Sequence, residues 1–373
     1  MVAKVLKLSG QSEDAELARE AADVLNAGGL VAFPTETVYG IACRTQRAPL
    51  SRLDRVKGRA ADKHYTLHLG QVDEYSRYVP PVSLRTEKLI RHAWPGPLTL
   101  VFELGAAALR EKKRQLDRQA FEALYRDHTI GIRCPDHPAA SLLLASADGP
   151  VVAPSANLAG REPATDADQV LSQLSDRIDL VLDGGPCKYG KSSTVARIGP
   201  RGVEVLRKGV YSQTQLQKMS PVTFLLVCTG NTCRSPMAEG LLRKHLAEKV
   251  GCSVDELAKM GYKVLSAGTM QMSGMPASTE AVAACQRKGV DIRDHASQRL
   301  TPLLIEASDF IFAMTRSHAE QVTFLAPDAG SKCSLLAGDR EIPDPIGRPQ
   351  EYFDNCANII EAAVKARVRE LRV

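Results

Sequence analysis

The chain has few aromatic residues and no long apolar segment. Aromatics make up 5% of its 373 residues, and tryptophan occurs once. Proteins that bind single-stranded nucleic acid usually combine exposed aromatics with basic residues, so this composition argues against such a surface. No apolar run reaches the length of a membrane span or of a signal-peptide core, which predicts a cytoplasmic protein without membrane contact.

Cysteine usage argues against two further classes. The nine cysteines lack the spacing of a disulfide framework, and their odd number leaves no complete pairing, which predicts a reducing compartment. No second Cys or His pair stands at zinc-ligand spacing, so no resident metal is expected. With 44% hydrophobic and 24% charged residues, the composition is that of an ordinary globular protein.

The length predicts two or three domains. The polar stretch from Ser212 to Pro221 separates two patterns. Short apolar runs followed by polar or proline-rich turns precede it, and these predict the strands of a mixed sheet. After the polar stretch, the sequence predicts a strand that leads directly into a helix. We therefore predict one domain over residues 1–212, a linker over 213–221 and a second domain over 222–373.

The most informative segment joins the predicted strand to the predicted helix of the second domain. It consists of Cys228, Thr229, Gly230, Asn231, Thr232, Cys233, Arg234 and Ser235, followed by a proline. A thiolate nucleophile needs positive surroundings, which backbone N–H groups, a helix N-terminus and Arg234 can supply together. Arginine also pairs two phosphoryl oxygens at once. The alternative is that Cys228 and Cys233 are buried core thiols.

This loop resembles that of the low-molecular-weight protein phosphatases, which begins with the nucleophilic Cys and ends in Arg-Ser. The resemblance covers about Thr223 to the C-terminus and includes Ser266-Ala267-Gly268-Thr269 and Ala313-Met314-Thr315. It implies a doubly wound parallel-sheet α/β domain that acts on phosphorylated proteins without a cofactor. It also implies that Cys228 is the nucleophile, that Arg234 binds the phosphoryl group, and that Asp344 is the general acid. For Asp344, a plain turn is the alternative.

Two positions bear on the substrate of this domain. The tyrosine-specific branch of the family has a bulky aliphatic before the second Cys of the loop and an aromatic pair after the Asp-Pro. This chain has Thr232 and Ile346-Gly347 there. A guanidinium leaving group carries N–H donors that an apolar wall would leave unpaired, so Thr232 favours phosphoarginine. Phosphotyrosine is the alternative.

The first domain carries an ordered set of short polar motifs. They are Phe33-Pro34-Thr35-Glu36-Thr37-Val38-Tyr39-Gly40, Lys57-Gly58-Arg59, Trp94-Pro95-Gly96-Pro97, Gly131-Ile132-Arg133-Cys134-Pro135, Pro154-Ser155-Ala156-Asn157, and Asp183-Gly184-Gly185 with Ser193-Thr194-Val195. In this order they resemble the threonylcarbamoyl-AMP synthases of the YrdC-like family. The resemblance implies a twisted mixed-sheet α/β domain that joins L-threonine, bicarbonate and ATP, with Mg²⁺ accompanying ATP.

The resemblance also implies the residues that bind these substrates. They are Thr35, Tyr39, Lys57, Arg59, His68, Arg133, Ser155, Asn157, Ser193 and Arg207. Because the product serves the N6-threonylcarbamoyladenosine (t6A) modification of tRNA, tRNA and proteins of that pathway are candidate partners. The formal net charge of +5 keeps an alternative open, in which this domain binds RNA or a nucleotide without catalysis.

Overall fold

This computed structural model describes residues 2–58, 64–199, 202–271 and 273–373. The chain divides into two compact units: the first extends to Met219, the second begins at Ser220, and Ser83–Lys88 groups with the second. The predicted linker over 213–221 is mostly a helix, Gln213–Met219. Its Leu216 is fully buried in the core of the first unit. Because this leucine needs an apolar environment, the segment belongs to the first unit and the boundary falls after Met219.

Ten strands of the described residues form one mixed sheet in the first unit, in the order β1-β8-β2-β3-β7-β4-β6-β5-β9-β10. Their bounds are β1 Lys4–Lys7, β2 Val31–Phe33, β3 Gly40–Arg44, β4 Thr66–His68, β5 Leu98–Glu103, β6 Thr129–Arg133, β7 Val151–Val152, β8 Leu180–Asp183, β9 Thr194–Gly199 and β10 Gly202–Arg207.

Eight helices occur in the described sequence before Ser220. They are α1 Asp14–Asn26, α2 Arg47–Lys57, α3 Leu84–Ala93, α4 Ala106–Gln115, α5 Arg118–Leu124, α6 Pro138–Ala145, α7 Ala167–Leu174 and α8 Gln213–Met219. Helix α1 was predicted from its apolar positions, and it buries Ala18, Ala21, Ala22 and Leu25. Such an amphipathic helix covers the apolar face of a sheet and leaves its polar face to solvent.

The strand register of the first unit sets polar side chains next to each other. His68 of β4 pairs with Arg133 of β6, and Arg133 pairs in turn with Thr99 of β5. Directly paired residues point to the same face of a sheet. A histidine, an arginine and a threonine far apart in the chain therefore form one row on the sheet surface.

The second unit has a four-stranded parallel sheet in the order β12-β11-β13-β14. Its strands are β11 Val222–Cys228, β12 Tyr262–Gly268, β13 Phe310–Ala313 and β14 Cys333–Leu335. Its helices are α9 Arg234–Val250, α10 Thr279–Gln286, α11 Pro302–Glu306, α12 Arg316–Leu325 and α13 Gln350–Glu370. Because β11 to β13 are parallel, the loops after their carboxyl ends meet at one edge of the sheet.

Two further features concern the helices and the cysteines. Among the helices of the described residues, none is long and apolar enough to span a membrane. All nine cysteines are free thiols.

Candidate active sites

A cavity of about 320 Å³ lies beside the polar row of the first unit. Lys57, Arg133 and Arg207 line it, and no carboxylate is among its lining residues in the described part of the chain. The predicted site residues in its wall are Lys57, His68, Arg133, Ser155, Asn157, Ser193 and Arg207. A wall that contains three cations makes this cavity suited to negatively charged groups.

Arg133 is held by residues of the segment after β2. Its Nη2 donates to Glu36 Oε1 at 2.8 Å and to Thr37 Oγ1 at 2.7 Å. The other carboxylate oxygen of Glu36 accepts the backbone N–H of Asp136 at 2.9 Å. Arg133 Nε is buried and has no hydrogen-bond partner among the described residues. A buried donor without a partner is unfavourable, so the guanidinium is prepared for an acceptor on a ligand.

Lys57 connects helix α2 to the loop after β7. Its Nζ donates to the carbonyl oxygen of Ser155 at 2.5 Å, to that of Asn157, and to Asn157 Oδ1 at 3.2 Å. Ser155 Oγ donates to the same amide oxygen at 2.5 Å. Lys57 therefore orients this loop as well as adding positive charge to the cavity wall.

Arg207 and Ser193 form the opposite part of the wall. Arg207 Nη2 donates to the carbonyl oxygen of Ser193 at 2.9 Å and to its Oγ at 3.2 Å, and Thr99 Oγ1 lies 3.0 Å from the same hydroxyl. Burial, followed by the charge of Arg133, lowers the pKa of Arg207. A Cβ at Gly209 would lie 2.3 Å from the backbone nitrogen of Thr194, so glycine is needed for this close packing.

His68 is neutral at pH 7. Burial, and then the positive charge of Arg133, lower its pKa to about 3. Its Nδ1 lies 3.1 Å from the carbonyl oxygen of Thr66, which requires a proton on that nitrogen. His68 Nε2 is then an acceptor, so this side chain can bind a hydroxyl or ammonium donor but adds no charge.

Two predicted residues, Thr35 and Tyr39, are not among the described residues of the cavity wall. Thr35 lies behind it, where its Oγ1 is 3.4 Å from Arg133 Nη2 and donates to the carbonyl oxygen of Val38 at 2.8 Å. Tyr39 is fully buried, and its hydroxyl donates to the carbonyl oxygen of Gly185 at 2.8 Å. Burial raises the pKa of Tyr39. Arg59 lies outside the described residues.

In the second unit, Cys228 lies at the end of β11 and its side chain is buried. Ser235 Oγ is 3.0 Å from Cys228 Sγ, and the backbone N–H of Asn231 donates to this sulfur at 3.3 Å. Asn231 Nδ2 donates to Ser235 Oγ at 2.8 Å, which leaves the serine proton for the sulfur. Hydrogen-bond donors placed around a sulfur suit one that carries negative charge.

Asn231 has a φ of 53°, in the left-handed region that asparagine tolerates better than most residues. Its Nδ2 also donates to Ser266 Oγ at 2.9 Å, and its Oδ1 accepts the backbone N–H of Gln298 at 2.8 Å. A Cβ at Gly268 would lie 2.7 Å from the carbonyl oxygen of Thr229. Strand β12 therefore packs directly against the loop of residues 228–235, here called the phosphate loop, and fixes its conformation.

Arg234 and Asp344 meet at the mouth of this loop. Arg234 Nη2 donates to Asp344 Oδ2 and, at 3.3 Å, to Thr229 Oγ1, while Nη1 donates to the carbonyl oxygen of Ile342 at 3.2 Å. Arg234 is buried, with 4% of its side chain exposed, whereas Asp344 is exposed at 39%. A cation of the loop thus pairs with a carboxylate from a separate segment, and displacement at phosphorus can use both groups.

The remaining loop residues differ in their surroundings. Cys233 is buried beside Ser278, with 3.5 Å between Cys233 Sγ and Ser278 Oγ, and burial raises its pKa. Thr232 is half-buried, and its Oγ1 lies 3.7 Å from Cys233 Sγ. Gly230 joins Thr229 to Asn231. Cys233 is therefore a packed thiol, whereas Thr232 is partly accessible to solvent.

Sequence reasoning missed two residues with central contacts. Glu36 stands between two threonines of a motif that was recognised, but only the hydroxyl and phenol groups of that motif were assigned roles. His318 follows Thr315 by three residues, and its Nε2 lies 2.8 Å from Thr229 Oγ1. The Thr-x-x-His spacing at a helix start was the available signal, because such residues share a helix face.

Together these features define a chain with one α/β unit that has a basic cavity and one α/β unit that has a cysteine-to-arginine loop between a strand and a helix. Residues 23–209 match the Sua5/YciO/YrdC family, described as telomere recombination, and residues 223–372 match the low molecular weight phosphotyrosine protein phosphatases. The chain belongs to the first family over its N-terminal unit and to the second over its C-terminal unit.

Individual relatives agree with this division. The chain is 29% identical over 246 residues to the threonylcarbamoyl-AMP synthase of Bacillus subtilis, covering 66% of this chain and 68% of that protein. It is 35% identical over 152 residues to the low molecular weight protein-tyrosine-phosphatase Etp of Escherichia coli, covering 40% of this chain and 94% of that protein.

A solved structure agrees in fold with much of the chain. A doubly alanine-substituted variant of Pyrococcus abyssi Sua5 matches 72% of this chain and 91% of its own, with a TM-score of 0.51 and 22% identity. The predicted fold classes and the expectation of two enzyme domains are confirmed.

Proposed function

We propose that the first unit condenses L-threonine, bicarbonate and ATP into threonylcarbamoyl-AMP with release of pyrophosphate, for t6A modification of tRNA. The observation that supports this best is the cavity with Lys57, Arg133 and Arg207 in its wall and no carboxylate among its described lining residues. The reaction brings together a carbamate, a triphosphate and a zwitterion. Cations held in place by protein carbonyls and a buried carboxylate can neutralise these anions without reorganising.

Each wall residue then has a chemical role. Arg133 binds a carboxylate or carbamate through the N–H donors that Glu36 does not occupy. The hydroxyl of Thr35 accepts from Arg133 Nη2 and helps to hold the guanidinium in place. Lys57 and Arg207 face the phosphates, as we expect for Arg59 too, and the hydroxyls of Ser155 and Ser193 add neutral donors. Tyr39 fixes the turn at Gly185. Since the described wall has no carboxylate ligand, Mg²⁺ would arrive with the phosphates of ATP.

Pyrophosphate release tests this proposal. The intact chain should release pyrophosphate from Mg²⁺-ATP only when threonine and bicarbonate are both present. Omission of either co-substrate provides the control. An N-terminal unit that only bound RNA would release none under any of these conditions, and would bind RNA with a steep dependence on salt.

We propose further that the second unit is a protein phosphatase that works through a phosphocysteine. Cys228 Sγ attacks phosphorus while the bond to the leaving atom breaks, and Asp344 gives that atom its proton. Arg234 and the loop N–H groups bind the equatorial oxygens. Water then attacks the phosphocysteine, Asp344 takes the water proton, and inorganic phosphate and the Cys228 thiolate are released. Ser235 stabilises that thiolate.

Phosphoarginine in proteins is the substrate we propose. Thr232 is half-buried, and its hydroxyl would bind a guanidinium leaving group. Ile346 is 67% exposed and Gly347 has no side chain, so these positions provide no aromatic wall for a phenyl ring. The nine free thiols agree with the reducing cytoplasm in which we place both activities.

Two measurements test the phosphatase proposal. Cys228→Ser should abolish turnover while pyrophosphate release by the same protein stays at the wild-type rate, because the two sites lie in different units. For wild type, kcat/KM should be higher on a phosphoarginine peptide than on the matching phosphotyrosine peptide. A preference for phosphotyrosine would replace this assignment with that of a tyrosine phosphatase.

A further inference from the structure

His318 contacts the phosphate loop from a separate element, the start of helix α12. Its ring is 5% exposed there. His318 Nε2 lies 2.8 Å from Thr229 Oγ1, and Nδ1 lies 2.7 Å from Thr315 Oγ1. Both ring nitrogens are therefore used, one of them on the residue that follows the nucleophile.

The contact with Thr315 is not a by-product of helix capping. Thr315 occupies the N-cap of α12 but makes no side-chain capping bond. Its hydroxyl instead contacts His318 and, at 2.9 Å, Ser317 Oγ. An N-cap threonine normally stabilises its helix through such a bond. Here the hydroxyl orients the imidazole instead.

The protonation state of the ring restricts the hydrogen bonds further. Burial and the charge of Arg234 lower the pKa of His318 to about 4, so the ring is neutral at pH 7. A neutral imidazole has one donor and one acceptor, so its bonds to the two threonines run in a single direction. Thr229 Oγ1 also accepts from Arg234 Nη2 at 3.3 Å. The ring thus fixes the hydroxyl that contacts the phosphate-binding arginine.

We propose that His318 is a positioning residue of the phosphatase site, which holds Thr229 and through it orients Arg234 for the transition state. The proposal rests on the phosphatase function given above. Arginine stabilises the equatorial oxygens most when charge develops on them, so loss of its orientation lowers kcat more than it changes KM.

Two substitutions of the same residue separate this role from simple packing. In His318→Gln the side-chain amide reaches the place of Nε2 and keeps a partner for Thr229. In His318→Asn the amide reaches only the place of Nδ1 and keeps a partner for Thr315. Both variants bury a neutral amide in place of the ring. A merely structural histidine would make the two variants equally defective.

The experiment uses the full chain and an aryl phosphate with a good leaving group, which needs little protonation by Asp344. We expect kcat to fall about fivefold to tenfold in His318→Asn and much less in His318→Gln, as the loss of one hydrogen bond predicts. Vanadate, which mimics the trigonal-bipyramidal transition state, should bind more weakly to His318→Asn, whereas phosphate binding should change little. Pyrophosphate release by the first unit serves as the internal control for the amount of protein, and phosphate binding shows that the second unit is folded.

A double-mutant cycle completes the test. Thr229→Val removes the hydroxyl that His318 holds, so Thr229→Val/His318→Asn should be no slower than Thr229→Val alone. Equal losses in the Gln and Asn variants, or additive losses in the cycle, would overturn the proposal. If wild type has no Cys228-dependent turnover, the phosphatase function itself fails. Vanadate affinity still decides the role of His318 in that case, because it does not depend on turnover.

Discussion

Glu36 and Arg133 form a buried ion pair at the floor of the first site, with 2.8 Å between Glu36 Oε1 and Arg133 Nη2. Their side chains are 3% and 6% exposed. The second oxygen of Glu36 holds the backbone of Asp136, so the carboxylate is fixed at both ends. A buried pair of this kind orients a charge more than it stabilises a fold.

The first prediction follows from this pair. Glu36→Gln keeps the shape of the side chain but removes its charge, so Arg133 loses its fixed orientation. We expect threonine- and bicarbonate-dependent pyrophosphate release to fall by about one order of magnitude, corresponding to one charge-assisted hydrogen bond. Glu16→Gln, on the exposed face of α1, is the matched control and should have no effect. Wild-type activity in Glu36→Gln would show that Arg133 does not depend on Glu36.

The second prediction concerns the choice of phosphorylated residue. Thr232→Ile should shift the phosphatase from phosphoarginine toward phosphotyrosine, because an aliphatic side chain packs on a phenyl ring but leaves guanidinium N–H groups unpaired. Each effect should be about 1–2 kcal/mol, or roughly fivefold to thirtyfold. Thr232→Val removes the hydroxyl without adding volume, and it should reduce phosphoarginine turnover alone. The quantity to compare is kcat/KM for both peptides; an unchanged ratio in Thr232→Ile would contradict the role of this position.

The third prediction concerns proton donation by Asp344. Asp344→Asn should slow hydrolysis most for aryl phosphates with poor leaving groups, because only these need a proton in the transition state. The slope of log kcat/KM against leaving-group pKa should therefore become steeper in the variant. A parallel downward shift without a change in slope would indicate that Asp344 acts mainly by pairing with Arg234.

The fourth prediction concerns the pH dependence of stability. The pKa of His68 is about 3 in the folded protein, below its ordinary value of 6.5, so the unfolded chain binds more protons between these two values. The stabilisation is complete above pH 6.5 and is lost as the pH falls toward 3, with a slope of up to about 1.4 kcal/mol per pH unit.

His68→Asn tests this linkage. The amide of asparagine can keep the bond to the carbonyl oxygen of Thr66 but does not titrate. The sole tryptophan, Trp94, is buried in the first unit and reports unfolding of that unit by fluorescence. Between about pH 6.5 and 4.5 the free energy of unfolding should fall more steeply in wild type than in His68→Asn. Equal slopes would mean that His68 is not held neutral.

The phosphatase site was largely predictable because its chemistry is local in sequence. Cys228, Asn231, Arg234 and Ser235 lie within eight consecutive residues, and a strand-loop-helix segment brings them around one centre. The boundary of the second domain was less predictable. A polar composition suggested a linker, but one buried leucine at position 216 was enough to anchor a helix.

The synthase site was predictable only as a set of candidates. The family resemblance named seven of the residues that line the cavity, but not which polar groups face it. The hydroxyls of Tyr39 and Thr35 contact backbone carbonyl oxygens of other segments, which the motifs did not indicate. The partner of Arg133 was missed because a single carboxylate within a motif does not reveal which distant cation it meets.

The sequence by itself determined the two families, the alternation of apolar strands and helices, and the nucleophilic loop, since these depend on local order and on periodicity. Tertiary structure alone decided which distant side chains meet. The pairing of β4, β6 and β5 sets His68 beside Arg133 and Arg133 beside Thr99, and parallel strands bring Thr315 and His318 to the loop of Cys228. The physical reason is that strand register and the burial of charge are settled by packing between segments far apart in the chain.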